Sequence, residues 1–170
     1  MTIIKCKAGK VGFILREHRL SDAENLFRYQ QDSEIKKNFI TVPKDIIESR
    51  REIEEKSHRP DTLSFVIDID GKAVGEIGFH HIKPKHFASI SFWLAKDHRG
   101  KGITTKALKT VTDLGFKKFK IVRIQANILP SNKSAMKILK RNNYKHEGTL
   151  RKNKFKDGKY LDDMVWARVK

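Results

Sequence analysis

Apolar and polar residues along this chain follow two different periods, which separate predicted strands from predicted helices. Apolar residues occupy every second position from 63 to 69, which indicates a half-buried strand, and Asp70-Gly71 follows as a hairpin turn. Two more strands are predicted over 73–82 and 88–94, joined by short links. Three successive strands with short connections predict an antiparallel meander.

Spacings of three and four residues predict helices elsewhere. After a turn with two glycines, apolar residues from Ile103 to Phe116 repeat at these spacings and predict an amphipathic helix that ends near Lys118. Ser21 and Glu24 form a capping-box pattern, which predicts a helix over about 21–31. The other predicted helices are a short one over 33–38, a polar one over about 45–56, and one capped by Ser131 or Asn132.

The order of these elements predicts the α+β class. A buried strand over 121–126 follows the amphipathic helix, so it is predicted to pair in parallel with the strand that precedes that helix. The chain is predicted to form one domain over 1–170, with a mixed central sheet of about seven strands flanked by about four helices. The remaining strands are predicted over 13–16 and in a closing hairpin over 144–150 and 160–169, which turns at Asp157-Gly158.

Composition limits the partners and the compartment. The formal net charge is +17, from 37 Lys and Arg against 20 Asp and Glu, and such a field attracts polyanions, although a solvated lysine surface explains it equally well. Cys6 is the only cysteine, so an internal disulfide and a cysteine-rich metal site are excluded. No apolar run approaches a signal peptide or a membrane span. The expectation is a cytoplasmic protein with no metal and no membrane association, as a monomer or a homodimer.

The stretch from Phe92 to Leu108 carries the first chemical signal. An apolar strand runs into a polar turn that contains Gly100 and Gly102 and then into the amphipathic helix. A helix start leaves backbone N–H groups without partners, and glycines let an anion approach them closely. The pattern therefore predicts a phosphate site, although a glycine turn that only joins a strand to a helix would look the same.

Two ordered motifs give this turn a context. The sequence Asp-His-Arg-Gly-Lys-Gly-Ile-Thr-Thr-Lys-Ala-Leu at 97–108 precedes Asn-Lys-Ser-Ala-Met-Lys-Ile-Leu-Lys-Arg-Asn-Asn-Tyr at 132–144 by about thirty residues. Together they resemble GNAT-fold acetyltransferases, and within them the RimJ/RimL type, which acetylates protein N-terminal amines. Shorter similarities to the same family occur in the same order along the chain, at 15–16, 22–23, 92–94, 127–130, 146–151 and 158–162. The resemblance implies the GNAT fold, in which the parallel pair of strands splays apart.

The resemblance also implies a cosubstrate, acetyl-CoA. Its pyrophosphate would bind backbone N–H groups of the glycine turn, and its pantetheine arm would lie along the splayed strand like an added strand. Asn132 also fits a plain helix cap. The residues predicted to bind the cofactor are Phe92, Trp93, Leu94, Arg99, Gly100, Lys101, Gly102, Ile103, Thr104, Thr105, Asn127 and Asn132.

The implied reaction is direct attack of a neutral amine on the thioester. A backbone N–H near Trp93 or Leu94 would stabilise the oxyanion, and Ser134 is the candidate on the thiolate side. The family's polyamine enzymes often carry a tyrosine where this chain has Leu139, which disfavours a polyamine acceptor. Members of the RimJ/RimL subgroup often carry a glutamate where this chain has Ser89.

Glu76 on the neighbouring strand is the predicted base, although an outward-facing carboxylate fits the same pattern. His80 and His81 are further candidates, because two consecutive strand residues face opposite sides of a sheet. Three departures from the family pattern stand out, at Asp97, Thr104 and Asn143. Asp97 is expected to point away from the phosphate site or to pair with a nearby Lys or Arg, and Asn143 to tolerate the left-handed conformation of a helix end.

The predicted function is therefore acetyl transfer to a primary amine, with a protein N-terminal α-amine as the favoured acceptor. Residues of about 30–59, the early helices and loops, are expected to choose the acceptor. The alternatives are a small-molecule acetyltransferase acting on an antibiotic, amino acid or polyamine, and a non-catalytic module that binds acetyl-CoA or the ribosome. Association with the ribosome or another polyanion would agree with the charge of +17.

Overall fold

The computed structural model of the chain describes residues 2–170 as one eight-stranded sheet with helices on both faces. The strands are β1 Ile3–Ala8, β2 Val11–Arg16, β3 Leu63–Ile69, β4 Lys72–Lys83, β5 Phe87–Leu94, β6 Arg123–Ile128, β7 Lys145–Lys156 and β8 Lys159–Val169. The α-helices are α1 Ala23–Gln30, α2 Ser33–Asn38, α3 Ile46–His58, α4 Ile103–Lys118 and α5 Lys133–Arg141. None of the helices within residues 2–170 is both long enough and apolar enough to cross a membrane.

The sheet has the spatial order β1-β2-β3-β4-β5-β6-β8-β7. Every neighbouring pair is antiparallel except β5 and β6, which are parallel, as the strand–helix–strand pattern predicts. The α+β class and the meander are confirmed, with five α-helices rather than about four. The polar turns at Asp70-Gly71 and Asp157-Gly158 both adopt positive φ, as tight hairpin turns require.

β1 is the strand that the sequence analysis missed. Lys5 and Lys7 are exposed while Ala8 is buried, and the strand pairs with β2 through a turn at Gly9. The alternation that would have predicted it is present but occupies only six residues, two of which are lysines. Eight strands, rather than about seven, are the result.

Helices cover the two faces unequally. α4 and α5 pack on one face over the larger apolar core, which includes Phe79, Leu108 and Leu139. α1, α2 and α3 pack on the other face over a smaller cluster that includes Val66 and Trp93. Because side chains alternate along a strand, Trp93 reaches the small cluster while its neighbours on β5 face the large core.

A buried ion cluster fixes the entry into α1. Arg16 is 2% exposed, and its guanidinium donates to both carboxylate oxygens of Asp22, at 2.7 and 2.8 Å, and to Asp68 at 2.6 Å. Asp22 also accepts the N–H of Arg19 at 2.8 Å. The predicted cap at Ser21 is therefore wrong: a single 3-10 turn over Leu20–Asp22 precedes α1, and the carboxylate of Asp22 stabilises it.

We expect Arg16→Met to lower the free energy of unfolding by about 3–5 kcal/mol, because two buried carboxylates lose their cation. Urea unfolding followed by circular dichroism measures the change. Arg19→Met, at an exposed position nearby, is the matched control and should change it by less than about 0.5 kcal/mol. Equal midpoints for the two variants would contradict a structural role for the cluster.

Candidate active site

The edge of β5 that faces β6 is unpaired over its second half. β5 pairs with β4 up to its last residue, but its parallel pairing with β6 ends at Ser89. The N–H of Ala95 donates to the carbonyl of Val74 on β4 at 2.8 Å. Since backbone groups of alternate residues point to the same edge, those of Phe92 and Leu94 point into the gap. The splay predicted from the sequence is present.

The turn between β5 and α4 lies at the end of this gap. Gly100 and Gly102 both have φ of 78°, a left-handed conformation that glycine adopts without strain. Across residues 2–170, no protein acceptor receives the backbone N–H groups from Gly100 to Thr105. These groups and the start of α4 at Ile103 form a row of free N–H donors, an arrangement typical of anion-binding turns.

Arg99 ties this turn to α2 and to β5. Its Nε donates to the carbonyl of Leu94 at 2.9 Å, and its other nitrogens contact the carboxylates of Asp32, at 3.3 Å, and Glu34. Asp32 is also the cap of α2, where it accepts two backbone N–H groups. The arginine thereby holds α2 against the end of the gap, and its charge is shared with two carboxylates.

A cleft of about 310 Å³ runs along the gap between α2, the glycine turn and α5. Most of the predicted cofactor-binding residues line it, together with Ser134, whereas Lys101, Asn127 and Glu76 do not. The predicted residues in the wall are Phe92, Trp93, Leu94, Arg99, Gly100, Gly102, Ile103, Thr104, Thr105, Asn132 and Ser134.

The far wall of this cleft is the start of α5. The side chain of Asn132 caps the helix by accepting the N–H of Ala135 at 3.1 Å, so the plain capping role is confirmed. Ser134 is exposed, and its Oγ donates to the side-chain oxygen of Asn132 at 3.0 Å. Asn127 is also exposed, but its side chain donates to Asp163 at 2.8 Å, outside the cleft. Ser134 is thus available to a molecule bound in the cleft, whereas the side chain of Asn127 points to Asp163 and does not line the cleft.

A second cleft of about 440 Å³ opens on the face that carries α3. Its walls come from α3 and the loop before α3, which belong to the region of about 30–59 expected to choose the acceptor, and from β3, β4 and β5, which lie outside that region. Phe92 and Trp93 line both clefts. So do Ile35 of α2 and Phe39, which immediately follows α2. The two clefts therefore meet at the unpaired edge of β5.

Glu76 lies in the wall of the second cleft, but its carboxylate is surrounded by donors. One oxygen contacts His18 Nε2 at 2.6 Å and Lys56 Nζ at 2.8 Å, and the other accepts Trp93 Nε1–H at 2.8 Å. Burial alone would raise the pKa of Glu76, but the charge of Lys56 and the contact with His18 more than offset it and hold the pKa far below its usual range. A carboxylate in this state is a poor proton acceptor near neutral pH.

Sequence reasoning missed Lys56 and His18. Lys56 belongs to a helix rich in Glu, Lys and Arg, a composition that indicates a solvated face, and only the packing of α3 on the sheet brings it to Glu76. His18 lies in the loop that follows β2 and comes from even farther away in sequence. No local sequence pattern links either residue to Glu76, so only the tertiary structure identifies them as its partners.

The two neighbouring histidines of β4 have different environments. His80 is half-buried in the second cleft, with its Nε2 at 2.7 Å from the Oγ of Ser91. The side chain of His81 is 73% exposed and lies 3.7 Å from a carboxylate oxygen of Asp61. His81 has φ of 54° and lies where the pairing with β5 is irregular, so simple strand alternation does not apply to it, and His80 is the one that lines the second cleft.

The sequence itself identifies the family. A model of the acetyltransferase (GNAT) domain family matches residues 13–145, which contain the splayed strands, the glycine turn and the start of α5. The chain belongs to the GNAT acetyltransferase family. It is therefore an acyltransferase of the N-acetyltransferase type.

Three curated relatives extend this result. An uncharacterised N-acetyltransferase of Bacillus licheniformis is 27% identical over 92% of this chain and 92% of its own length. The L-amino acid N-acetyltransferase AaaT of Escherichia coli is 24% identical over 92% of this chain and 98% of its own. The ribosomal-protein-serine acetyltransferase of Escherichia coli is 27% identical over 62% of this chain and 59% of its own.

Solved structures share the fold. RimJ of Mycobacterium smegmatis, determined in complex with CoA-disulfide, superposes with a TM-score of 0.88 at 22% identity, over 98% of this chain and 86% of its own. The GNAT fold expected from the sequence is thereby confirmed, including one sheet with a single parallel pair.

The three departures from the GNAT pattern have separate outcomes. Asp97 is exposed and does not line the first cleft, as expected, and its backbone carbonyl accepts Lys101 Nζ at 2.9 Å. Thr104 is 9% exposed and contributes to the cleft wall. Asn143 has φ of 61°, which confirms the left-handed helix end.

We expect Gly102→Glu to reduce the affinity for coenzyme A by at least about tenfold, because the carboxylate repels phosphate and the left-handed position is strained. Isothermal titration calorimetry measures this affinity. Gly158→Glu is the matched control, since Gly158 has φ of 75° in the distant β7–β8 turn and receives the same charge. Equal affinities for the two variants would remove the turn from the binding site.

Proposed function

We propose that this GNAT enzyme transfers the acetyl group of acetyl-CoA to a primary amine, and that the amine is a protein N-terminal α-amine. The observation that carries the proposal is the meeting of two clefts at Phe92 and Trp93. One cleft ends at an anion-binding turn and the other opens on the opposite face. A donor and an acceptor entering from the two sides would therefore meet at the unpaired edge of β5.

The first cleft suits acetyl-CoA. Unpartnered N–H groups from Gly100 to Thr105 would bind the pyrophosphate. Backbone groups of Phe92 and Leu94 would bind the pantetheine arm as an added strand, because they point into the gap. A bound acetyl-CoA supplies the electrophilic thioester carbonyl.

Two groups of the chain would act on the reacting atoms, and a third contact would hold one of them in place. The N–H of Leu94 faces the gap and is the better of the two predicted oxyanion donors, because the backbone of Trp93 faces β4. The carbonyl of Leu94 accepts Arg99 Nε at 2.9 Å, which fixes the strand end that presents this N–H. Ser134 faces the same cleft from α5 and would protonate the departing thiolate.

The second cleft suits an α-amine. It is lined by three carboxylates, of Glu52, Glu55 and Glu76, and by two cations, Lys56 and Arg59, so its charge favours an ammonium group. An α-amine has a pKa of about 7.7–8.0, and part of it is neutral near pH 7 without strong assistance. Similarity to a ribosomal-protein-serine acetyltransferase and the net charge of +17 also support an acceptor on the ribosome.

The acceptor is tested by thiol release from acetyl-CoA with matched amines. A short peptide with free N-terminal serine is compared with its N-blocked form carrying an internal lysine, with free serine, and with spermidine. We expect the highest kcat/KM for the free N-terminus. Faster turnover of the amino acid would instead favour a small-molecule enzyme, in keeping with the similarity to AaaT. Binding of acetyl-CoA without thiol release in any assay would indicate a non-catalytic module.

We expect Ser134→Ala to lower kcat by about tenfold or more with little change in the affinity for acetyl-CoA, because only the departing thiolate loses a proton donor. Steady-state kinetics and calorimetry separate the two effects. Ser131→Ala is the matched control, since Ser131 is exposed in the same segment and lines neither cleft. A wild-type rate for Ser134→Ala would leave this serine only its contact with Asn132.

A further inference from the structure

One wall of the second cleft carries a glycine between two titratable residues of β4. Glu76, Gly78 and His80 alternate along β4 and face the same side of the sheet. Gly78 has no side chain, and a Cβ there would lie 2.6 Å from the carbonyl oxygen of Leu63 and from the Cα of Ser64. Gly78 therefore lets β3 approach β4 closely, and the cleft wall continues from it to His80.

His80 is oriented toward the unpaired strand by a single contact. Its Nε2 lies 2.7 Å from the Oγ of Ser91, and Ser91 immediately precedes Phe92, which both clefts share. No other side-chain or backbone partner of the imidazole is present within residues 2–170. A hydroxyl and an imidazole at this distance conduct a proton in either direction.

We propose that Ser91 and His80 form the proton-accepting pair of this site, with Ser91 taking a proton from the acceptor ammonium while its own proton passes to Nε2 of His80. The inference rests on the proposed function. It gives the base role to a residue pair on β4 and β5 and leaves Glu76 as a positioning residue. Glu76 holds Lys56 at 2.8 Å and Trp93 at 2.8 Å, and these donors occupy both of its carboxylate oxygens.

The protons balance in this scheme. The ammonium gives one proton to the Ser91–His80 pair, and the neutral amine then forms a C–N bond with the thioester carbon. Collapse of the tetrahedral intermediate breaks the C–S bond. The departing sulfur takes a proton from the hydroxyl of Ser134, and Ser134 regains one from the second proton that the nitrogen loses. The products are the amide, the free thiol of coenzyme A and one proton, which His80 releases to water.

The charged surroundings keep His80 able to accept that proton. Lys56 faces it from α3, Asp61 from the loop before β3, and Glu76 and His81 from its own strand, while β5 offers only serines. Burial and then the charge of Lys56 lower the pKa of His80 below its usual value, and the two carboxylates only partly oppose this. The other charged residues in the cleft wall are Glu52, Glu55 and Arg59.

The decisive experiment is the pH dependence of kcat/KM for the wild type and His80→Gln with the free N-terminal peptide. In the wild type, the rate falls at low pH as His80 becomes protonated, at a pH below the titration of the α-amine near ~8. We expect His80→Gln to lose this lower ionisation, to keep that of the amine, and to lower kcat about 100-fold with unchanged KM for acetyl-CoA. Ser91→Ala should lower kcat in the same way.

Further variants separate a catalytic role from a structural one. Lys56→Met should move the lower ionisation to higher pH, because a positive neighbour of His80 is removed. Added imidazole should partly restore the rate of His80→Ala, and this rescue would not follow if the variant were only misfolded. His86→Gln, at an exposed position in the β4–β5 loop, is the matched control and should retain the wild-type profile.

The outcomes for the two proposals differ. A wild-type protein that acetylates no amine would overturn the proposed function and this inference together. An active wild type with a His80→Gln variant that keeps its kcat and its lower ionisation would overturn this inference alone. Thermal unfolding of each variant shows that the compared proteins are folded.

Discussion

The site depends on one constraint, which is that β5 is hydrogen-bonded to β4 up to its end but to β6 only as far as Ser89. A strand in the middle of a sheet normally has no free backbone groups, and exposed edges are usually covered. Here the unpaired half lies inside the molecule, between α2, α4 and α5. Its backbone groups are free to bind a ligand while the opposite edge holds the strand rigid. The same strand end leads directly into the glycine turn at the start of α4.

Buried ion clusters hold the acceptor side of the sheet in place. Arg16 joins β2 to β3 and to the start of α1, and Glu76 joins α3 to β4 and β5 through Lys56 and Trp93. Such clusters contribute little net stability compared with apolar packing but impose strong geometric requirements. They are therefore suited to fixing how α1 and α3 lie over the sheet. The second cleft is the space that this arrangement leaves.

Local patterns were sufficient to predict most of the fold. The alternation before Asp70, the three-and-four spacing after Gly102 and the two hairpin turns each depend on neighbouring residues, and each is present in the structure. β1 was missed because two lysines weaken a short alternation. The first cleft was largely predictable because its turn and the start of α5 are contiguous motifs.

A candidate base was harder to choose from the sequence, because proton affinity depends on partners far apart in sequence. Glu76 has the residue type expected of a base, but Lys56, His18 and Trp93 surround it, and none of them is marked by a sequence pattern. The pair of His80 and Ser91 is likewise a contact between two strands, visible only once their register is known.

The charge of the whole molecule and the charge of the second cleft have opposite effects on an acceptor. The net charge of +17 repels a free polycation at long range, whereas the second cleft, with three carboxylates against Lys56 and Arg59, attracts an ammonium group only within about a Debye length. An amine carried by an anionic assembly is attracted at both ranges, first by the surface and then by the cleft. For the N-terminal acceptor proposed above, presentation on a polyanionic particle would combine the two attractions, whereas a small free polyamine would meet only the second.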